Sequence, residues 1–232
     1  MATLLTVMLA VFLALGAWQL QRRTWKLDLM AAVDRRTHAP PVPAPGPDTW
    51  SRLSPEGDAY RRVRARGLFL NGHETLVQAV TAKGPGVWVM TPLKTDLGFT
   101  ILVNRGFAPL EQRAASAREA GSVFGETTVT GLLRISEPRG GFLRRNHPAA
   151  GRWYSRDVAA MARAEGLSDV APYFIDADAT PNAGGWPAGG MTVVSFRNSH
   201  LVYAITWFGL AAMVAGWAAY GAYIAVRKDR PS

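Results

Sequence analysis

The chain has 232 residues, no cysteine and a formal net charge of +9, a length that holds one sizeable core plus membrane spans but not several independent domains. The missing thiol excludes disulfides, iron–sulfur ligation, thiol catalysis and thiolate copper delivery. Positive charge is scattered through Arg22, Arg35, Arg61, Arg105, Arg134 and Arg163 without a recognition-helix or zinc-finger pattern, so genome composition or contact with anionic lipid headgroups explains it better than nucleic acid.

From Ala2 to Leu20 the sequence ATLLTVMLAVFLALGAWQL carries no charge and is long enough to cross the hydrocarbon core. Residues 2–21 are therefore predicted as a first transmembrane helix. A signal peptide would carry a basic segment ahead of the apolar run, and none precedes it here, so a retained anchor is expected. Trp25, Leu29 and Val33 recur at four-residue spacing, which extends the helix towards Arg36. Residues 39–47, APPVPAPGP, should then form an extended spacer, because proline fixes φ and removes a donor. Residues 22–47 thus read as a helical stem and proline-rich spacer.

Strand signals dominate residues 48–199. Tyr60 to Phe69 places Val63 and Ala65 on one face and Arg62, Arg64 and Arg66 on the other, the period-two pattern of a half-solvated strand. Thr75–Val80, Val87–Thr95 and Phe99–Arg105 follow as expected hairpin strands, punctuated by Gly84-Pro85-Gly86 and Asp96-Leu97-Gly98. Thr127–Ile135, Tyr173–Ile175 and Met191–Phe196 are further strand candidates. One amphipathic helix is predicted among them, capped by Ser155, with Asp157 in its first turn, Val158, Met161 and Ala162 on one face and Gly166 at its end. Connections this short favour antiparallel pairing. The expected class is α+β: two transmembrane helices flanking a mostly antiparallel β-rich extramembrane domain.

Leu201 to Val226 is again free of charge, and residues 200–226 are predicted as the second transmembrane helix. Trp18, Trp25, Tyr203 and Trp207 suit one membrane interface, and Tyr220 and Tyr223 the other. Arg227, Lys228 and Arg230 make residues 227–232 a cytoplasmic tail, which puts the domain on the opposite side; Arg22, Arg23 and Lys26 pull the other way. At helical spacing His200, Tyr203 and Trp207 share one stripe. Gly209, Ala212, Gly216 and Ala219 form another, which is expected to meet Ala10, Ala14 and Ala17 of the first span.

No phosphate loop, dinucleotide fingerprint, HExxH or GxSxG occurs, so no enzyme is expected. Asp176 and Asp178 could form a carboxylate pair on one strand face, but read more simply as solvated turn residues. His38, His73 and His147 are too dispersed for a zinc cluster. His200 stands apart because Asn198 and Ser199 can cap the helix it opens, and a helix N-terminus favours a neutral imidazole with a free lone pair. Two roles remain open for it, a ligand to iron or a hydrogen bond to backbone or headgroups.

LGAWQLQRRTWK at 15–26, RVRARGLF at 62–69, TPLKTDLGFTILVNRGFAP at 91–109, Trp153 with the following YSRDVAAMARAEG, and RNSHLVYAITWFGL at 197–210 together resemble the Surfeit locus protein 1 family of cytochrome c oxidase assembly factors. The likeness runs in order along nearly the whole chain. It implies a multi-pass protein of the bacterial inner membrane facing the periplasm, or of the mitochondrial inner membrane, that acts while haem a is placed in oxidase subunit I. Its implied partners are subunit I, other oxidase assembly factors and the lipid bilayer, and its implied cofactor is haem a, transiently bound. In bacterial members a histidine at the start of the second span is implicated in binding haem a, and His200 occupies that position. Gly67 matches a family glycine whose expected role is structural. Arg144 and Arg145 could meet haem propionates, although a solvated loop explains them equally simply. The alternative function is a protein-interaction scaffold that stabilises subunit I without touching haem.

Overall fold

The computed structural model describes residues 2–141, 143–194 and 198–228. In chain order the elements are helix α1 (Ala2–His38), strand β1 (Val42–Pro43), a single-turn helix α2 (Pro55–Asp58), strands β2 (Arg62–Phe69), β3 (Thr75–Thr81), β4 (Gly84–Thr95), β5 (Thr100–Pro109) and β6 (Glu126–Ile135), helix α3 (Val158–Ala164), strand β7 (Val170–Ala177) and helix α4 (His200–Lys228). They divide into two compact units, the terminal segments up to Ala32 and from Val194, and the intervening residues Val33–Val193.

In the intervening unit the strands run β1-β2-β6-β7-β5-β4-β3, and a further β2–β4 pairing closes the five strands between β2 and β4 into a barrel. The long β4 makes this possible. Its first part, Gly84–Met90, pairs with β3, and its last residues Leu93–Thr95 leave β3 to pair with Gly67–Phe69 of β2. The alternation read in β2 holds, with Val63 and Ala65 buried and Arg64 and Arg66 exposed. Every barrel strand sends apolar side chains inward: Val63, Leu93, Ile101, Val103, Leu133, Tyr173 and Ile175 pack as one cluster. A second cluster on the outer face joins Met90, Leu102 and Phe174 to Val158 and Met161 of α3. The strand β5 is buried on both faces for this reason.

Most pairings are antiparallel, as expected, but β7 inserts between β6 and β5 and runs parallel to β5. The segment from Leu110 to Asp169, which contains β6 and α3, is long enough to make that return.

Three local expectations are corrected. Residues 39–47 are not a free spacer: Val42 and Pro43 pair in parallel with Val63 and Arg64, Ala44 is buried in the barrel cluster, and Trp50 Nε1 donates to the Pro45 carbonyl. Proline at a sheet edge needs no ladder donor, so the composition that argued for a linker also suits an edge strand. The cap of α3 is Asp157, whose side chain accepts from the Ala160 amide, while Ser155 instead binds the Glu137 carbonyl and the Gly140 amide. Met191–Val194 form no strand, and Ser195 and Phe196 of that expected strand lie outside the described residues.

In the other unit α1 and α4 pack antiparallel. Gln19 meets His200, the Phe12 and Trp207 rings lie 5.7 Å apart, and a Cβ on Gly16 would sit 2.7 Å from Phe208. Ala204 and Ala211 are buried at this seam, so His200, Ala204, Trp207 and Ala211 recur by steps of four and three, the spacing of a helix–helix stripe. The small-residue stripe expected to make this contact faces away: Gly209 and Gly216 have nothing within 4 Å of a Cβ position. Close approach is achieved by glycine on the partner helix instead, where Gly16 leaves room for the Phe208 ring.

Candidate functional site

The site begins with the pairing of α1 and α4. Both helices are long and apolar enough to cross a membrane, with only 11% of each apolar window buried in the protein. Leu4, Val7, Val11, Val202, Ile205 and Met213 are among the apolar side chains they expose. An apolar outer face on a lone helix pair suits hydrocarbon and not water.

At one end of this pair stands His200, half-buried in the first turn of α4. Its backbone amide donates to Asn198 Oδ1 at 3.4 Å, a weak form of the expected cap. Its ring is fixed by a residue that the sequence did not single out. His200 Nδ1 lies 2.7 Å from Gln19 Oε1, and an amide oxygen can only accept. In the tautomer that donates Nδ1–H to this oxygen, the ring keeps its lone pair on Nε2. A hydrogen bond on the far nitrogen is the usual way proteins orient a metal-binding histidine. The donor set fits a group that would take one imidazole nitrogen as a ligand to iron, with His200 holding it and Gln19 orienting the ring.

Tyr203 and Trp18 are each more than half exposed near this end. Trp207 of the same expected stripe is turned into the helix seam against Phe12. The three residues do not form one open face for a flat ligand.

The remaining sequence candidates lie elsewhere. His38 is 3.4 Å from Asp34 and His73 is 3.4 Å from Glu165, and no group of three metal-ligating side chains occurs among the described residues. Arg144 rests over the Tyr154 ring in an exposed loop with Arg145. Asp178 is half-exposed beyond the end of β7 and accepts from Thr180.

Asp176 is no solvated turn residue. It is buried in β7, where Oδ1 accepts from Asn104 at 2.7 Å and Arg156 at 3.2 Å, and Oδ2 accepts from Arg134 at 2.7 Å and Thr192 at 2.9 Å. Glu137 completes the cluster by gripping Arg156 through two hydrogen bonds of 3.1 and 2.6 Å. Two carboxylates and two guanidiniums balance, and no reactive group is left over. The cluster joins β5, β6, β7 and the segment leading towards α4. Burial opposes the Arg156 charge, but the Glu137 hydrogen bond and the Asp176 and Glu137 charges prevail and hold its pKa above the ordinary value.

The family model described as the SURF1 family matches residues 6–212, which include all of the barrel, the three contacts described between the helices and His200. The chain belongs to the SURF1 family. Surfeit locus protein 1 of Rattus norvegicus is 39% identical over 219 residues, covering 88% of this chain and 69% of that protein. The Homo sapiens protein of the same name is 39% identical over 215 residues, covering 85% and 69%. A SURF1-like protein of Monosiga brevicollis is 36% identical over 230 residues, covering 92% and 84%. As a SURF1 family member with two apolar helices flanking a β-rich unit, the chain is a membrane protein of mixed α+β architecture.

Proposed function

We propose that the protein is an assembly factor for haem–copper cytochrome c oxidase that assists the placement of haem a in subunit I, with His200 meeting the haem iron through Nε2. The single observation that carries the ligand role is the 2.7 Å contact between His200 Nδ1 and Gln19 Oε1, which in the Nδ1–H tautomer leaves Nε2 free to bind. Membership of the SURF1 family supports the wider reading. Haem a would supply the iron and the flat apolar body. His200 binds, Gln19 orients, and the exposed apolar side chains of both helices keep water away. The role is binding and hand-over, so no catalytic residue is assigned.

In this reading the protein sits in a bacterial inner membrane with the barrel in the periplasm, or in the mitochondrial inner membrane. Arg227, which follows the apolar stretch of α4, favours that orientation. Subunit I and the other assembly factors would be its partners.

The test is purification in mild detergent from cells that make haem a, followed by an absorption spectrum. The expected result is a haem a spectrum in the parent and its loss in His200→Ala at unchanged thermal stability. Equal haem content in parent and variant would overturn the ligand role. Co-purification of subunit I with a haem-free protein would favour a scaffold.

A further inference from the structure

Arg105, on β5, is 5% exposed. Its Nη2 donates to the Gly121 carbonyl and, at 3.1 Å, to Asn182 Oδ1, and its guanidinium lies 5.1 Å from the centre of the Phe69 ring. No carboxylate among the described residues approaches it closely enough for an ion pair. The contrast with Arg118 is direct: that side chain is equally buried at 5%, and Glu74 meets it with hydrogen bonds of 3.1 and 2.5 Å. Arg134 and Arg156 have Asp176. Arg105 is a buried cation without an anion.

Burial lowers its pKa from the ordinary value; Glu74 acts against this and Arg118 reinforces it. A guanidinium remains charged at any physiological pH even so, and a buried charge is costly unless it is paired. Arg105 Nε and Nη1 make no hydrogen bond among the described residues, yet they are not among the side-chain nitrogens sealed from solvent. Arg105 is one of the residues that line a pocket.

This pocket, of about 170 Å³, lies outside the helix pair and is lined by Phe69, Val123, Val129 and Pro181 as well as by Thr130 and Asn182. It is smaller than the roughly 300–1,000 Å³ of sites for drug-sized ligands. Its walls are mixed: the apolar part suits a short hydrocarbon stem, Thr127, Thr128 and Thr130 add hydroxyls, and its single cation suits one negative charge. Asp178 also lines the pocket, with Oδ1 engaged by the Thr180 amide and hydroxyl at 3.1 and 2.6 Å; its charge opposes any anion there, and a doubly charged phosphate more than a singly charged carboxylate.

We infer that the Arg105 pocket binds a carboxylate carried on a short apolar stem, with the guanidinium as its counter-ion. This does not rest on the role given to His200. The probe is butyrate, observed by saturation-transfer NMR on the full chain in lipid nanodiscs, with n-butanol as the uncharged control and inorganic phosphate as competitor. Butyrate should show transfer and butanol should not, and Arg105→Gln should weaken butyrate binding at least ten-fold. Should Arg105→Gln fail to fold, Thr180→Trp, a substitution at an exposed lining position, should block the pocket and abolish the signal. Equal transfer to butanol and butyrate, or full binding retained by a folded Arg105→Gln or Thr180→Trp protein, would overturn the inference. Displacement of butyrate by phosphate at a tenth of its concentration would overturn the carboxylate assignment.

Discussion

The Tyr173 hydroxyl donates to the Pro45 carbonyl at 2.8 Å, tying the centre of β7 to the proline-rich segment that follows α1. Tyr173 is fully buried, and burial raises its pKa from 10.0, with Arg61 opposing weakly. The unfolded chain releases this proton near pH 10 and the folded chain does not, so the unfolded state binds fewer protons above that pH. Stability is fully present below pH 10 and falls as pH rises further, by up to about 1.4 kcal/mol per pH unit. Denaturant titrations of the parent and Tyr173→Phe between pH 8 and 11 should show this decline only in the parent. At neutral pH the variant should lose about 1 kcal/mol.

Gly67 should tolerate no side chain. A Cβ there would collide with the Lys94 carbonyl oxygen and stand 2.9 Å from the Thr95 Cα, both backbone atoms of the strand that closes the barrel. Gly67→Ala is expected to cost about 1–3 kcal/mol, read as a lower melting temperature of the detergent-solubilised protein. A bulkier Gly67→Val should be worse.

Asp176→Asn should be among the most damaging single-atom changes in the unit. It leaves Arg134 and Arg156 without their shared carboxylate, and breaking a buried pair by removing one partner costs about 3–5 kcal/mol. Urea unfolding followed by tryptophan fluorescence would measure it. A loss below 1 kcal/mol would show that water or Glu137 takes over the two guanidiniums.

Gln19→Leu tests the orientation of His200. The helix pair should persist, since leucine is a good helix former at an apolar seam. Under the proposed ligand role, haem a affinity should fall by about 10–100-fold, the usual cost of losing the partner behind a metal-bound imidazole. Gln19→Glu should restore binding, because a carboxylate also accepts from Nδ1–H, and should shift the reduction potential downward by strengthening the donor. Titration with haem and a redox-monitored spectrum read the two effects separately.

Period-two and helical patterns reported the elements well, because burial imposes them residue by residue: β2, β6 and α3 could be read from Val63 and Ala65, from Thr127 to Ile135, and from Val158 and Met161. Pairing across long separations left no such mark. Nothing near β7 in the sequence distinguishes a strand inserted beside β5 from one added at an edge. Likewise Pro43 and Pro45 look the same in a linker and on a sheet margin, since both settings forgo a backbone donor. His200 was legible through its cap and position, whereas Gln19, 181 positions away, required the helix pair to be seen. Arg105 was hidden for the opposite reason: arginine is abundant here, and only burial without a partner sets one apart.

The barrel is joined along seven residue pairs between β2 and β6, but along only three between β2 and β4. Its wall consequently has one narrow clasp, at Leu93–Thr95, where the fewest bonds must part for solvent to enter. Amide protons there should exchange sooner than those of β6 and β7, and the clasp, next to the intolerant Gly67, is where breathing of the wall begins.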